Sequence, residues 1–369
     1  MSDPTYGRYL IPTQHVETTL DASPEVITRQ RRVFFNPQEQ PSSAGRIVRG
    51  EDVTLTADEL KSVKAGDEWI YYKIWEMKDV FLEDKRGKGV DVVYVHGYRE
   101  YGQGNHSRYA WGEYGWWSNG TRNLNFPLPY LLQHGRSTGA HAYIPTARSL
   151  PDAIFTVLQD VRTISSAESP RKTFLTGTSM GGLTVLYAAT VADKLDAETK
   201  GKMPRIDGAF AMCPLLDVPD RPNAVVTAIG KLLCKVAGKA PLLDGGPIDF
   251  ISDDERVPEE FRQDPMNYTG KLRIATGIAF LHAFTETVDN AAYTKTPIRL
   301  LHGDGDRTTS HKASMAYMDQ VTSEDKSIKI YEGYQHVMVK TVGGKAEEAD
   351  FVRNSAVMND WKEWLLQRV

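Results

Sequence analysis

The sequence has few cysteines, no long apolar run and no excess of basic charge. Cys213 and Cys234 are its two cysteines among 369 residues. They form no CxxC pair and have no neighbouring histidines, so a zinc site is disfavoured and two free, buried thiols are expected. No uncharged apolar run approaches the ~18 residues that a membrane span needs. A net charge of −4 provides no basic surface for nucleic acid, which excludes that class of partner.

The first 50 residues lack clean periodicity, and we assign them to a partly irregular N-terminal extension. Residues 1–5 contain no basic region followed by an apolar stretch, so we expect no secretory signal and a cytoplasmic protein. Arg29, Arg31 and Arg32 form a basic cluster within this extension. The expected environment of such a cluster is a solvated surface.

From about residue 51 the chain alternates between strand-like and helix-like patterns, without internal repeats. Short segments rich in β-branched and aromatic residues predict strands at 69–75, 90–95, 173–176, 206–212, 298–302 and 327–331. Helical periodicity lies between and after them, at 150–165, 182–195, 312–321 and 354–366. This alternation predicts an α/β fold with a mostly parallel, doubly wound sheet.

One interval interrupts the alternation. Residues 213–290 are longer than an ordinary connection and contain two helical patterns, at 224–236 and 272–284. We interpret the interval as a cap, or lid, above the carboxyl ends of the strands, where open α/β sheets bind ligands. The core then consists of residues 51–212 and 291–369.

The segment 177–182 reads G-T-S-M-G-G and contains the motif G-x-S-x-G. It lies between a predicted strand and a predicted helix, the context in which this motif presents a nucleophile. The glycines permit a strained turn that lifts the hydroxyl of Ser179 above the sheet edge, and the dipole of the following helix favours negative charge there. The alternative is a tight glycine turn without chemistry. We predict Ser179 as the nucleophile.

A serine nucleophile needs a base, and the base needs an acid to orient it, in the chain order serine, acid, histidine. Asp304 and Asp306 both follow the strand predicted at 298–302. We favour Asp306 as the acid because it lies further into the loop, whereas Asp304 is expected to brace the turn. His336 follows the last predicted strand and is the predicted base. His302 is expected to be a hydrogen-bonded core residue.

A tetrahedral intermediate needs fixed N–H donors around its oxyanion. The predicted donors are the backbone amides of Met180, directly after the nucleophile, and of Tyr98, in the loop after the strand at 90–95. The ring of His96 is expected to hold this loop in shape. No phosphate loop, metal-ligand pattern or nucleotide motif is visible, so neither a cofactor nor a metal is predicted.

Five aromatic residues follow this loop, and packing against the sheet is favoured over a substrate wall for them. They are Tyr109, Trp111, Tyr114, Trp116 and Trp117.

Taken in order, several segments resemble the monoacylglycerol lipase family of α/β-hydrolases, which also includes lysophospholipases and caffeoylshikimate-type esterases. The resemblance runs from about residue 66 to the end of the chain. The segments are 96–97, 134–139, 142–145, 177–182, 264–271, 306–309 and 331–336. The resemblance implies an α/β-hydrolase fold and hydrolysis of a long-chain glycerol ester under a mobile, apolar cap.

The sequence departs from this family at three places. Thr178 stands where the family usually has histidine. The family's oxyanion loop usually continues G-x-G-E-H, whereas residues 98–102 here read Y-R-E-Y-G and the loop looks longer. Two prolines lie in the segment 123–130, which argues against an intact central strand there.

Three functions compete at this point. The first is a serine ester hydrolase that cleaves monoacylglycerol or a related lipid through an acyl-enzyme intermediate. The second is a carboxylesterase or acyltransferase for a specialised metabolite, which the altered oxyanion loop motivates. The third is a non-catalytic binding protein on a hydrolase scaffold. The expected partner is a small, lipid-like ester, and transient contact with a membrane or lipid-droplet surface stays open, as does the oligomeric state.

Overall fold

The computed structural model describes residues 24, 26–35, 50–52, 68–77, 90–102, 124–129, 134–164, 171–199, 204–218, 221–264, 266–340 and 348–369. The aromatic residues between 109 and 117 lie outside this set, so the prediction about their packing stays a prediction.

The described residues form one large sheet and one small one. The strands are β1 (Val26–Phe34), β2 (Gly50–Asp52), β3 (Trp69–Met77), β4 (Val90–Val95), β5 (Leu124–Pro129), β6 (Lys172–Thr178), β7 (Gly208–Met212), β8 (Pro241–Leu243), β9 (Leu272–Arg273), β10 (Ile298–Gly303) and β11 (Lys326–Tyr331). The large sheet has the order β11-β10-β7-β6-β4-β5-β3-β1-β2, and β8 pairs with β9. Pairing is parallel from β11 to β5 and antiparallel from β5 to β2.

Helices cover both faces of this sheet. They are α1 (Ser149–Ile164), α2 (Met180–Thr199), α3 (Ala224–Ala237), α4 (Arg256–Gln263), α5 (Ile274–Asp289), α6 (His311–Gln320) and α7 (Glu348–Leu366). Strand β4 is buried throughout, and its side chains alternate between two cores. Val93 and Val95 belong to the core under α1 and α2, whereas Val92 and Tyr94 belong to the core under α7. The predicted α/β fold with a mostly parallel, doubly wound sheet is thereby confirmed.

The elements α3, β8, α4, β9 and α5 lie between the adjacent parallel strands β7 and β10. They occupy the interval predicted as a cap, and we use that name for them below. Helix α3 packs on α5, and α5 packs on α2 of the core. The cap is therefore anchored to the core mainly through α5, while the division of the chain into domains stays a prediction.

The expectation that prolines disrupt the strand at 123–130 is wrong. Strand β5 forms, and its register explains how it tolerates Pro127 and Pro129. Only its first two residues, Leu124 and Asn125, pair with β4. Residues 126–129, which include both prolines, pair with β3 alone. Each proline therefore lies where the strand has one neighbour, and a missing N–H is tolerated there.

The expectation that the basic cluster in the N-terminal segment is solvated is also wrong. Residues 26–34 form β1, which pairs with β3 in the large sheet. Arg31 is buried and donates to both carboxylate oxygens of Asp160, on α1, at 3.0 Å each. The hydroxyl of Tyr72 also donates to Asp160. The charged cluster thus fastens β1 to the helix layer.

Two further properties of the described residues bear on the sequence predictions. No described helix combines the length and apolarity required to traverse a bilayer. Both cysteines are free thiols, as expected, but Cys234 is only partly buried.

We predict that Arg31→Ala lowers the free energy of unfolding by about 3–5 kcal/mol, because it leaves the buried carboxylate of Asp160 without its cation. Urea denaturation measures the change. The matched control is Arg205→Ala, which removes a largely exposed partner of Asp207 and is expected to cost less than about 1 kcal/mol. Equal effects of the two substitutions would contradict this account of β1.

Candidate active site

The predicted nucleophile lies in a strained turn between β6 and α2. Ser179 has a φ of 56°, a left-handed conformation that non-glycine residues seldom adopt. A Cβ at Gly177 would lie 2.4 Å from the carbonyl oxygen of Gly181, and a Cβ at Gly181 would lie 2.0 Å from that of Val95. Both positions therefore require glycine. The Ser179 amide donates to Met212 O on β7 at 3.0 Å, which fixes the turn to the neighbouring strand.

The predicted acid and base are in contact. His336 Nδ1 lies 2.7 Å from Asp306 Oδ2, and the Asp306 side chain is fully buried. Burial alone would raise the pKa of Asp306, but the charge of His336 and hydrogen bonds from His302, His336 and the Thr309 amide outweigh it and hold the pKa well below its usual range. Asp306 is therefore ionised, and its charge fixes the proton of His336 on Nδ1. That leaves Nε2 of His336 as the proton acceptor.

The two candidate aspartates have different environments. Asp306 Oδ1 accepts from the amides of Thr308 and Thr309, at 2.7 and 2.9 Å. Asp304 is exposed and accepts from the amide of Gly333 at 2.7 Å. The geometry thus separates an aspartate that contacts His336 from one that braces the turn, as the sequence analysis expected.

A second histidine, His302, reaches the acid. Its Nε2 lies 3.2 Å from Asp306 Oδ2, and its Nδ1 lies 2.8 Å from Ser314 Oγ. Burial lowers the pKa of His302, so the ring is neutral and carries one proton. Since an ionised carboxylate only accepts, we assign this proton to Nε2 and the Ser314 hydroxyl as donor to Nδ1. The sequence placed His302 in the core correctly, and its position four residues before Asp306 was the available signal for this contact.

Cys213, immediately after β7, is the other residue that the sequence analysis left out of the site. Its Sγ, a carboxylate oxygen of Asp306 and Nδ1 of His336 all lie within 4.8 Å of one another. Burial and the charge of Asp306 raise the pKa of the Cys213 thiol well above its usual value, so the proton is retained. A metal would require the thiolate and would compete with the 2.7 Å contact of Asp306 and His336. The cluster is better suited to hydrogen bonding than to metal binding.

The loop after β4 runs beside the nucleophile. A Cβ at Gly97 would lie 3.5 Å from the Cβ of Ser179. Burial lowers the pKa of His96 to about 4, so its ring is neutral, and its Nδ1 donates to Gly97 O at 2.7 Å. His96 thus holds the backbone of this loop, as expected. Within the described part of the chain the amide of Tyr98 donates to no other group, and Met180 begins α2, where an amide has no acceptor inside its helix.

The same loop is bonded to the cap. The amide of Tyr268 donates to Arg99 O at 2.8 Å, and the hydroxyl of Tyr101 donates to Asp264 Oδ2 at 2.8 Å. The ring of Tyr98 packs edge-on against Phe280 of α5, with centroids 5.2 Å apart. The cap therefore contacts the loop that carries one of the two predicted oxyanion donors.

These groups come from neighbouring strands of one sheet. Ser179 follows β6, Cys213 follows β7, Asp306 follows β10 and His336 follows β11. Because those strands are parallel and adjacent, their carboxyl ends meet at one edge. The arrangement brings a serine in a strained turn, a histidine in contact with a buried carboxylate, and the loop after β4 to one edge of the sheet, and covalent acyl transfer uses such groups.

Comparison with known proteins points in the same direction. The profile of the family described as serine aminopeptidase, S33 matches residues 134–340, more than half of the chain. The chain is 29% identical to a monoacylglycerol lipase of Mycolicibacterium smegmatis, over 70% of this chain and 84% of that protein. It is also 29% identical to human monoglyceride lipase, over 64% and 71% of the two chains. A caffeoylshikimate esterase of Arabidopsis thaliana is 27% identical, over 65% and 68%.

Solved structures support the fold. A monoacylglycerol lipase of Paleococcus ferrophilus superposes with a TM-score of 0.59 at 20% identity, over 76% of this chain and 97% of that one. A soluble variant of monoglyceride lipase from Saccharomyces cerevisiae, in complex with a substrate analog, also gives 0.59, at 18% identity and over 84% and 94% of the two chains.

We predict that Asp306→Asn slows the reaction of Ser179 with a fluorophosphonate by about 10³–10⁴-fold, because the base loses the acceptor that fixes its tautomer. The low-field proton resonance of the His336 Nδ1–H should disappear as well. Asp304→Asn is the matched control, and we expect it to keep both the labelling rate and the resonance. Similar losses in the two variants would show that the contact of Asp306 with His336 does not set reactivity.

Proposed function

Because the chain belongs to the serine aminopeptidase S33 family of α/β-hydrolases, we propose that it hydrolyses carboxylic esters of lipid type, with Ser179 as nucleophile, His336 as base and Asp306 as acid. The observation that carries the proposal is the buried contact of Asp306 with His336 Nδ1 at the sheet edge where Ser179 occupies its strained turn. The resemblance seen in the sequence and the expected class of serine hydrolase are confirmed by the family match and by the lipases among its relatives. The individual roles and the substrate belong to the proposal.

In the first half of the reaction, Oγ of Ser179 attacks the ester carbonyl while Nε2 of His336 takes the hydroxyl proton. The negative charge that develops on the carbonyl oxygen is stabilised by the amides of Tyr98 and Met180. Asp306 stabilises the imidazolium that forms and keeps Nδ1 protonated. The intermediate then collapses: the bond to the alcohol breaks, His336 returns the proton to the leaving oxygen, and an acyl-Ser179 ester remains.

In the second half, His336 takes a proton from water, whose oxygen attacks the acyl carbon. The same two amides hold the oxyanion. Collapse breaks the bond to Ser179 Oγ, which recovers its proton from His336, and a carboxylic acid leaves. No step requires a redox change, and every proton is returned within the cycle.

Two observations favour a lipid-like ester. The relatives that cover most of this chain include monoacylglycerol and monoglyceride lipases. The cap also places apolar side chains, Phe280 and Phe284, in the core cluster that reaches the loop after β4. The alternative is an esterase or acyltransferase for a specialised metabolite, which the caffeoylshikimate esterase among the relatives keeps open.

We expect p-nitrophenyl esters to be hydrolysed with a kcat/KM that rises with the length of the acyl chain. We expect Ser179→Ala to lower this kcat/KM by at least about 10³-fold. Steady-state kinetics and fluorophosphonate labelling measure both. Ser327→Ala, on β11 away from the loops, is the control and should retain activity. A preference for acetate over long chains would favour the metabolite esterase, and failure of folded protein to react at Ser179 would contradict hydrolysis altogether.

A second part of the proposal concerns contact with a lipid surface, for which α3 is the best candidate. This helix turns its large side chains outward: Val225, Ile229, Leu232 and Val236 are 54–85% exposed. Its inner face is small, since a Cβ at Gly230 would already lie 3.0 Å from Ile278 of α5. The helix carries two lysines and no acidic residue. An apolar face with flanking cations suits the surface of an anionic membrane. Such peripheral contact, together with two free thiols, is compatible with the cytoplasmic location that we propose.

We predict that the double variant Leu232→Glu/Val236→Glu no longer floats with vesicles of phosphatidylcholine and phosphatidylglycerol, because charges on the apolar face oppose its burial in lipid. Its activity on a water-soluble short-chain ester should stay at the wild-type level. Met315→Glu, at an exposed apolar position on α6, is the control. Unchanged flotation would contradict the role of α3, and loss of a dimer in sedimentation experiments without lipid would assign the face to self-association instead.

A further inference from the structure

Arg99 is a buried cation for which the described part of the chain provides no counter-ion. It follows Tyr98 in the loop after β4 and is only 8% exposed. Its Nη1 donates to Gly246 O at 3.4 Å, and its Nε is buried with no hydrogen-bond partner among the described residues. Among the residues that the structure describes, no carboxylate forms an ion pair with it. The neighbouring carboxylate of Glu100 is directed elsewhere, since it accepts from the amide of Gly97 at 3.1 Å.

The backbone makes the choice of arginine at this position more unusual. Arg99 has a φ of 70°, in the left-handed region that favours glycine. Arginine at this place is therefore disfavoured twice, by its conformation and by the transfer of a guanidinium out of water. A group that forms hydrogen bonds with the guanidinium would offset both costs.

The guanidinium lies at the junction of the loop and the cap. It is 5.6 Å from the centroid of the Tyr98 ring, and a Cβ at Gly245 would lie 2.6 Å from its Nη2. The backbone of Arg99 is only two residues from Gly97, which lies against Ser179. The guanidinium therefore belongs to the loop that lies against Ser179, on the side where this loop meets the cap.

A second guanidinium lies nearby. Arg273, at the start of α5, is fully buried and donates to the carbonyl oxygens of His141 and Lys239, at 2.8 and 2.6 Å. It lies 5.6 Å from the centroid of the Tyr268 ring, and the amide of Tyr268 bonds to Arg99 O. The carbonyl contacts of Arg273 give it a structural role, whereas Arg99 keeps donor capacity. Both charges make this junction electropositive.

We propose that Arg99 binds an anionic group of the substrate, a carboxylate or a phosphate, so that the enzyme prefers acidic esters to neutral ones. The planar guanidinium offers paired N–H donors whose spacing matches the oxygens of either anion. The inference rests on the proposed ester hydrolysis and narrows its substrate class. The proposed steps of ester cleavage at Ser179 stay the same, and Arg99 contributes only by positioning the substrate.

Two substrate pairs test the inference. The first pair is 1-acylglycerol and 1-acylglycerol 3-phosphate with the same acyl chain, which differ by a phosphate on the alcohol side. The second is p-nitrophenyl pentanoate and mono-p-nitrophenyl glutarate, which differ by a carboxylate on the acyl side. We expect the wild-type enzyme to show the higher kcat/KM for the charged member of at least one pair. A preference in the first pair would identify the anion as a phosphate, and a preference in the second pair would identify it as a carboxylate.

Arg99→Gly removes the guanidinium and permits the same backbone conformation. We expect it to lower kcat/KM for the preferred charged ester by about 10- to 100-fold, mainly through KM, because a hydrogen-bonded charge is lost. The ratio of kcat/KM for the charged ester to that for the neutral ester should fall by a similar factor. Arg99→Asn, which tolerates the left-handed conformation without a charge, gives the same result if the glycine variant does not fold. Arg221→Gly removes one exposed charge near the cap and is the matched control.

Two outcomes would overturn the inference: a wild-type preference for the neutral member of both pairs, or an equal loss on charged and neutral esters in folded Arg99→Gly and Arg99→Asn. These outcomes differ from a failure of the proposed function. If wild-type enzyme cleaves none of the four esters, or Ser179→Ala cleaves them equally well, the ester hydrolysis itself is wrong.

Discussion

A buried carboxylate that accepts hydrogen bonds from two imidazoles, a hydroxyl and two backbone amides organises the proposed catalytic site. Asp306 has no solvent to solvate its charge, so its partners must come from the protein, and each is held in place by that charge. His336 is one of these partners. Its ring orientation and tautomer are therefore set by the same interactions that keep the loop after β10 folded.

This dependence extends into the sheet through Cys213. The thiol stays protonated beside Asp306, and the carbonyl oxygen of Cys213 lies 3.2 Å from Oγ1 of Thr309, the hydroxyl that donates to Asp306. One residue earlier, Met212 O accepts the amide of Ser179. The end of β7 thus lies between the nucleophile on one side and the acid on the other. The distance between adjacent parallel strands therefore sets how far Ser179 lies from Asp306, and hydrogen bonds across the strand ends hold both residues to β7.

The sequence allowed the fold and the principal site residues to be predicted because their signals are local. Glycines around Ser179 are required by contacts closer than any side chain allows, and Asp306 and His336 each follow a strongly patterned strand. The errors arose where the outcome depended on distant residues. Arg31 is buried because Asp160, far along the chain, accepts its hydrogen bonds, and the prolines of β5 are tolerated because of how its pairing is divided between β3 and β4.

The contacts between the cap and the loop after β4 link displacement of the cap to the position of that loop. Any displacement of the cap that admits a bulky molecule must either break the bonds of Tyr268 to Arg99 and of Tyr101 to Asp264 or pull the loop with it. In the second case the amide of Tyr98 moves with the loop, because it lies one residue before Arg99. Two hydrogen bonds thus make the position of the cap and the shape of the loop beside Ser179 dependent on one another.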